Sequence, residues 1–306
     1  ALTCGEIFNM SVSIIGCGWL GQALAQRLLA GNIKVIASCQ SQQSHEKLNA
    51  LKIPVSELIL PIMDDVISYT SIEDIVGIDI ALFQQDVLII ALPPQLKKGR
   101  VDYPLKIQQL VHLAKLGKTK HIILLNSTAI YNGLVGRIDE ASKLDVKAEK
   151  VASLLAAENA VRGFSERVDI LRLAGLVGPN RHPGKFLQAK HIFENASASV
   201  NLVHQTDVVN ILEKLIHLDS ADGKQSIYNV VSNTDSQRQG YYQVAAQVLG
   251  LPVPKFALEQ QQQPGKKIIG ARLRRELAYD YVYDDLLSWL KDGDAMLDNT
   301  SQLIFE

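Results

Sequence analysis

Cysteine is scarce in this chain of 306 residues: there are three, and no pair has the Cys-x-x-Cys spacing of a metal or redox site. We therefore expect reduced thiols in a cytoplasmic protein and no metal site. No apolar run reaches the roughly 18–20 residues that a membrane-spanning helix needs. An excess of positive charge is absent too, since 31 basic residues are balanced by 32 acidic ones. This balance argues against a nucleic-acid or membrane-surface partner, because both kinds of binding depend on positive charge.

The first nine residues have neither the cationic start nor the long apolar core of a secretory signal. Met10 stands directly before the first strand-like segment. We expect either that Met10 is the natural start or that residues 1–9 form a loose arm.

Apolar residues are plentiful, at 47% of the chain, which is enough to form a large core. Segments rich in Val, Ile and Leu alternate with helical segments over the first two thirds of the sequence. The predicted strands are 12–15, 34–37, 58–60, 87–91, 121–125 and 168–173. The predicted helices between them are 20–29, 44–51, 105–116 and 146–162. This alternation predicts an α/β fold of the Rossmann type, a doubly wound parallel sheet covered on both faces.

The pattern changes after about residue 175. There we expect a strand at 227–231, an N-cap at Thr206 or Asp207, helices at 185–193, 207–218 and 241–249, and a helical end at 279–290. The sequence therefore predicts a Rossmann NAD(P)-binding domain at 10–174. A small C-terminal substrate-binding lobe at 175–306 is interleaved with it.

A Gly-x-Gly-x-x-Gly motif follows the first predicted strand and opens the first predicted helix, and this context makes the motif specific. Gly16 permits a tight turn, Gly18 lets the backbone approach a pyrophosphate, and Gly21 lets the helix pack on the strand. The motif predicts a dinucleotide site, which would also include Cys17, Trp19 and Leu20. The alternative is a glycine turn in another α/β fold.

The end of the second predicted strand bears on the choice of cofactor. NAD enzymes usually place Asp or Glu there to bind the ribose 2′-hydroxyl, and a carboxylate would repel a 2′-phosphate. This chain has Ser38, Gln40 and Ser41 instead, and the nearest cation is Lys47. We therefore predict NADP, with NAD as the alternative, and contacts from these three polar residues. The other interpretation is that they are solvated loop residues.

Four later segments, taken with the glycine motif, make the chain resemble the extended short-chain dehydrogenase/reductases. Within them it is similar to the atypical branch of NAD-dependent epimerase/dehydratase-like proteins. The segments are 124–131, 171–181, 200–207 and 227–231, and the resemblance extends from residue 12 to about 290. It implies an oxidoreductase or epimerase/dehydratase that acts on a small substrate bearing a hydroxyl or carbonyl group, such as a nucleotide-linked sugar. We expect a monomer or homodimer.

The resemblance also implies roles for individual residues. Ser127 matches the hydroxyl that hydrogen-bonds a substrate oxygen, and Leu92 and Pro93 match the stretch beside the nicotinamide ribose. The substrate side would include Thr128, Arg181 and His204. From the residues alone, Ser127 could equally cap a turn and His204 could be a packed core residue.

One feature of the family is missing. Its active members carry Tyr-x-x-x-Lys on the helix after the fifth strand, where the tyrosine transfers a proton. Judged from Glu158, this chain has Lys150 and Leu154 in those positions. Lys150 could act as an acid only where burial or another cation favours its neutral form, and the alternative is a solvated helix face. The candidate catalytic residues are therefore Ser127, Tyr131 and Lys150. The alternative function is a catalytically inactive NADP-binding sensor or scaffold.

Overall fold

The computed structural model describes residues 10–95, 99, 101–187, 191–219, 223–258 and 265–296. These residues form two compact units that alternate along the chain. Within them, the first unit comprises 10–130, 146–172 and 212–227. The second comprises 131–145, 173–211 and 228–296. The expectations for residues 1–9 lie outside the described part of the chain.

Seven of the strands form one sheet, in the order β3-β2-β1-β4-β5-β7-β11. The strands in chain order are β1 Ser11–Ile15, β2 Lys34–Cys39, β3 Val55–Glu57, β4 Val87–Ile90, β5 His121–Ser127, β6 Gly136–Ile138, β7 Arg167–Leu173, β8 Gly175–Val177, β9 Ile192–Phe193, β10 Leu202–His204, β11 Gln225–Val230, β12 Lys255–Phe256 and β13 Lys266–Ile268. Strand β1 pairs in parallel with both β2 and β4, so the strand order reverses between β1 and β4. This confirms the predicted Rossmann-type sheet, in which ligands bind at such a switch point.

The described residues also form α-helices. They are α1 Trp19–Ala30, α2 Gln42–Ala50, α3 Tyr103–Leu116, α4 Glu149–Arg162, α5 Gln205–His217, α6 Arg238–Val248, α7 Ala271–Leu277 and α8 Leu286–Lys291. Helix α3 illustrates why they form: Pro104 stands in its first turn, where its missing N–H is no loss. Tyr103, Ile107 and Leu110 recur at helical spacing on its buried face.

The second unit has short parallel strand pairs, β8 with β10, β9 with β12 and β6 with β13. Its apolar core includes Val177, Tyr241 and Trp289. The Trp289 ring lies 5.9 Å from the His182 ring and 5.2 Å from the His204 ring. Aromatic and imidazole rings therefore build this core together.

The structure corrects several sequence expectations in these later segments. The helix expected at 185–193 is wrong: Pro183–Lys185 is a 3₁₀ helix, Ile192–Phe193 is a strand, and 188–190 lie outside the described residues. The reason is tertiary packing, because the Gly184 backbone lies so close to Ala245 that a Cβ atom would be 2.3 Å from the Ala245 oxygen. The strand expected at 58–60 lies at 55–57. Helix α8, at Leu286–Lys291, covers only the last part of the helical end expected at 279–290.

The expected N-cap of α5 is also wrong, since the helix already begins at Gln205. Asp207 lies inside its first turn and is fully buried. Its carboxylate accepts hydrogen bonds from the Tyr279 hydroxyl (2.8 Å) and from the backbone N–H groups of Val282 (2.7 Å) and Tyr283 (3.0 Å). Asp207 therefore anchors a distant loop instead of capping a helix.

Two further observations concern ligands and membranes. Among the described residues, no group of three or more His, Cys, Asp and Glu side chains is arranged to hold a metal ion. In the same part of the chain, no helix combines the length and apolar character needed to cross a membrane.

Candidate functional site

In the loop between β1 and α1, each of the three glycines is suited to its position by a different feature of the geometry. Gly16 has a φ of +89°, and a Cβ atom there would lie 3.0 Å from the Ala91 carbonyl carbon and oxygen. A Cβ atom at Gly21 would lie 3.3 Å from the side chain of Ile14, so this glycine lets α1 pack closely on β1. At Gly18 a Cβ atom would meet nothing within 4 Å. The Gly18 backbone is thus open to an approaching ligand.

Helix α1 begins directly at this loop with Gly18 as its N-cap. No side chain caps the helix, and no acidic residue occupies its first turn. The first N–H groups of a helix have no partner within the helix, and the helix dipole makes this end attractive to anions. The arrangement therefore suits a phosphate group.

A cavity of about 380 Å³ lies beside the loop, within the first unit. Gly16, Cys17 and Gly18 line it, so it opens at the carboxyl end of β1, next to the switch point of the sheet. Its volume lies in the usual range of ligand pockets. Burial raises the pKa of the Cys17 thiol to about 12, which keeps the sulfur protonated and makes it a poor nucleophile.

The end of β2 forms another wall of the cavity, through Ser38, Cys39 and Gln40. Ser38 is buried, and its Oγ accepts a hydrogen bond from the Gly16 N–H at 3.1 Å. Ser41 is the N-cap of α2, and its Oγ accepts from the Ser44 N–H at 3.3 Å. These hydroxyls therefore also shape the loops that carry them, while Gln40 is exposed.

Across the strand pair, Glu57 at the end of β3 lies opposite Cys39 in the register of the two strands. Its negative charge contributes to raising the pKa of the Cys39 thiol, after burial as the main cause. The sequence alone did not reveal this carboxylate, because the strand was expected three residues later. It is the acidic group that strand pairing brings to the end of β2.

The end of β4 and the start of α3 complete the cavity. Ala91, Leu92 and Pro93 line it, as does Lys106 from the first turn of α3. The Nζ atom of Lys106 lies 3.0 Å from Oδ2 of Asp102, one helical turn earlier. Sequence reasoning placed Leu92 and Pro93 near a cofactor but did not find Lys106, which follows β4 by sixteen residues.

At the end of β5 the polar groups are engaged with one another. The Ser127 Oγ accepts a hydrogen bond from the Ala129 N–H at 3.1 Å, and the Ser127 N–H donates to Asn126 Oδ1 at 2.9 Å. Ser127 is half-buried and Thr128 is buried. The turn-capping role that the sequence left open is thus present, and the proposed contact of Ser127 with substrate stays a prediction.

Helix α4 is fixed to the sheet by a buried ion pair. Glu158 is fully buried, and Arg172 on β7 donates to both of its carboxylate oxygens, at 2.8 and 2.7 Å. The Asn126 amide donates to Glu158 at 2.8 Å. Leu154, at the position of the family's lysine, is fully buried as well. In the sequence, Glu158 served only to align the helix with the Tyr-x-x-x-Lys positions. No residue near it in the chain identifies Arg172 as its partner.

The two proton-transfer candidates differ in their surroundings. The Tyr131 side chain is fully buried, and its hydroxyl donates a hydrogen bond to Asn229 Oδ1 at 2.8 Å. The backbone N–H of Asn229 in turn donates a hydrogen bond to the Glu140 carboxylate at 2.7 Å. Lys150 lies in the first turn of α4 and is half-buried. Their catalytic roles stay predictions.

The substrate-side candidates of the second unit are of two kinds. His204 is fully buried, its ring lies 4.0 Å from the Tyr283 ring, and its Nδ1 accepts from the Thr206 N–H at 3.2 Å. Arg181 is exposed, and its Nε donates to the Leu176 carbonyl at 2.9 Å. Arg181 is therefore the candidate whose side chain is more accessible to a ligand.

Comparison with known proteins agrees with the fold. Residues 10–157 match the UDP-glucose/GDP-mannose dehydrogenase family, NAD binding domain. The solved structure of UDP-glucuronic acid 4-epimerase from Bacillus cereus in complex with UDP-glucuronic acid and NAD superposes with a TM-score of 0.71. It covers 96% of this chain and 100% of its own at 16% identity. The structure of MoeE5 in complex with UDP-glucose and NAD superposes with a TM-score of 0.67 at 16% identity. It covers 94% of this chain and 99% of its own. At such low identity these structures support the fold alone.

The match over residues 10–157 confirms that the chain has an NAD-binding domain. The choice of NADP over NAD stays a prediction. Protein YeeZ of Escherichia coli strain K12 is 32% identical over 279 residues, which is 90% of this chain and 97% of that protein. With this identity over nearly the full length of both proteins, the chain belongs to the family of Protein YeeZ.

Proposed function

We propose that this chain binds a nicotinamide dinucleotide and acts as an epimerase, dehydratase or reductase on the sugar of a nucleotide sugar. The observation that carries the proposal is the glycine loop, which opens onto a cavity of about 380 Å³ at the switch point of the sheet. Open α/β sheets bind their ligands at this place.

The residues present fit a dinucleotide. The Gly18 backbone faces open space, and the uncapped start of α1 offers N–H groups to a pyrophosphate. Leu92 and Pro93 supply an apolar wall on the other side. A bound nicotinamide would supply the hydride acceptor and donor for the reaction. The chain's own task is to hold the dinucleotide and to move a proton at the substrate oxygen.

The NADP form of the cofactor is supported by the end of β2, where Ser38, Gln40 and Ser41 leave no carboxylate to repel a 2′-phosphate. Glu57, opposite Cys39, favours NAD instead, because its carboxylate would repel a 2′-phosphate. The preference is therefore set by the balance between this carboxylate and Lys106, the cation that lines the cavity.

A nucleotide-sugar substrate is supported by the solved structures of the same fold that hold UDP-glucuronic acid or UDP-glucose together with NAD. Ser127 is the last residue of β5 and Thr128 follows it, and these two residues are proposed to hydrogen-bond the reacting oxygen. Arg181 is proposed to bind the charged part of the substrate, and His204 is proposed to shape the substrate site.

Proton transfer is assigned to Lys150 ahead of Tyr131. The Tyr131 hydroxyl is enclosed and donates a hydrogen bond to Asn229 Oδ1, whereas Lys150 is half-buried at the start of α4. An amine in this position would take the proton of a substrate hydroxyl in its neutral form and return it in its charged form.

The experiment is to mix the purified protein with NADP⁺ or NAD⁺ and a panel of UDP- and GDP-sugars, and to follow nicotinamide absorbance and sugar products. We expect turnover with at least one nucleotide sugar. Lys150→Met should reduce it by about a hundredfold or more, the usual contribution of a general acid–base group. Lys143→Met, an exposed charge on the preceding segment, should not change it. Dinucleotide binding without turnover on any substrate would contradict the enzymatic proposal.

A further inference from the structure

The charge distribution of the dinucleotide cavity is uneven. Of the side chains that line it, Lys106 is charged, and those on the glycine loop and at the end of β2 are neutral. A dinucleotide brings at least two negative charges to this space. The backbone N–H groups of α1 supply partial positive charge, and the remaining charge calls for a cation.

Lys106 has little contact with water. Only 12% of its side chain is exposed, against 27% for Asp102, its ion-pair partner at 3.0 Å. Removing an ammonium from water is costly unless it gains partners of opposite charge or hydrogen-bond acceptors. Asp102 accepts from one N–H of the ammonium, and an ammonium carries three. The group is thus able to serve a second acceptor inside the cavity.

The cation that the sequence suggested lies elsewhere. Lys47 is exposed on α2 and is not among the residues that line the cavity. Lys106 comes from α3, far along the chain, and reaches the same cavity as Gly16 and Gly18.

We propose that Lys106 is the cation that binds the phosphate groups of the dinucleotide. This inference rests on the proposed dinucleotide binding and adds the residue that recognises its charge. The phosphate is either the pyrophosphate, common to NADH and NADPH, or the 2′-phosphate, present in NADPH alone.

The test compares NADH and NADPH affinities of the wild type, Lys106→Met, Asp102→Asn and Lys115→Met by calorimetry. Lys115 is exposed on the same helix, so its variant removes the same charge outside the cavity. We expect Lys106→Met to weaken binding about tenfold to a hundredfold, the worth of a hydrogen bond to a charged group, and Lys115→Met to leave it unchanged. An equal loss for both ligands identifies the pyrophosphate, and a loss for NADPH alone identifies the 2′-phosphate.

Asp102→Asn separates recognition from a structural role, because it breaks the same ion pair but keeps the ammonium. We expect this variant to bind at least as tightly as the wild type, since a negative charge near the phosphates is gone. Equal losses in Lys106→Met and Asp102→Asn, or wild-type affinity in Lys106→Met, would overturn the inference. If the wild type itself binds neither ligand, the proposed function fails instead. Lys106→Gln gives the same comparison if the methionine variant does not fold.

Discussion

The carboxyl ends of β1 and β5 lie at the same edge of one sheet but have opposite characters. At β1 the backbone of Gly18 faces open space and the start of α1 lacks a cap. At β5 the polar groups satisfy one another, with Ser127 capping a turn and Asn126 joined to Glu158. Open backbone groups are available to a ligand, whereas paired side chains hold a structure. The difference indicates that binding is built into the backbone at β1, while Asn126 at the end of β5 belongs to the buried network of Glu158 and Arg172.

The largest expected effect concerns the end of β5, where Asn126 is joined to the buried Glu158. Glu158→Gln should lower the free energy of unfolding by about 3–5 kcal/mol, because it removes the carboxylate charge that pairs with the buried Arg172 guanidinium. Chemical denaturation measures it. The control is Glu213→Gln, whose ion pair with Arg27 is partly exposed and should be worth less than about 1 kcal/mol. Equal small losses in both variants would mean that α4 is not held as described.

The next largest effect concerns the end of β1, where the Gly18 backbone faces open space. Gly18→Val should fold as the wild type does, because its φ of −83° suits any residue and a Cβ atom meets nothing within 4 Å. Its branched side chain would fill the space of the ligand, so dinucleotide affinity should fall by about a hundredfold. Gly240→Val, with an equally open Cβ position on α6, should bind normally. Unchanged affinity in Gly18→Val would place the ligand somewhere else.

Two buried tyrosines sharpen the comparison. Tyr131→Phe should cost about 1–2 kcal/mol of stability, because it leaves the Asn229 oxygen without its 2.8 Å donor. Tyr103→Phe should be neutral or stabilising, since the buried Tyr103 hydroxyl has no hydrogen-bond partner among the described residues. Thermal unfolding of both variants measures the difference. Loss of turnover in Tyr131→Phe with its stability intact would make Tyr131, and not Lys150, the proton-transfer residue.

The smallest effect concerns pH and the opposite edge of the sheet. His121 is buried against Asp169, and burial lowers its pKa below the ordinary value of 6.5. The unfolded chain therefore binds this proton at a higher pH than the folded protein does. His121 costs no stability above pH 6.5, and stability is lost as the pH falls below it toward the folded-state pKa. The melting temperature should decline between about pH 7 and pH 5, with a shallower slope in His121→Gln; equal slopes would contradict this.

The parts of the molecule that the sequence predicted are those decided by neighbours in the chain. The glycine loop and the alternation of strands and helices are local patterns, and the sheet confirmed them. Lys106 lines the cavity only because the order of the strands places α3 beside it. Glu158 contacts Arg172 only because the fold brings α4 and β7 together. The helix expected at 185–193 failed for the same reason, since contact of Gly184 with α6 overrides local propensity. Candidate sites built from distant residues therefore required the structure.

The most direct test of the account is a titration of the wild-type protein with NADPH and NADH, followed by tryptophan fluorescence. Trp19 is the first residue of α1, directly after the loop that we expect to hold the pyrophosphate. The account predicts saturable quenching at one site per chain, with tighter binding of NADPH. Absence of quenching and of heat in a parallel calorimetric titration, with the protein folded, would contradict it.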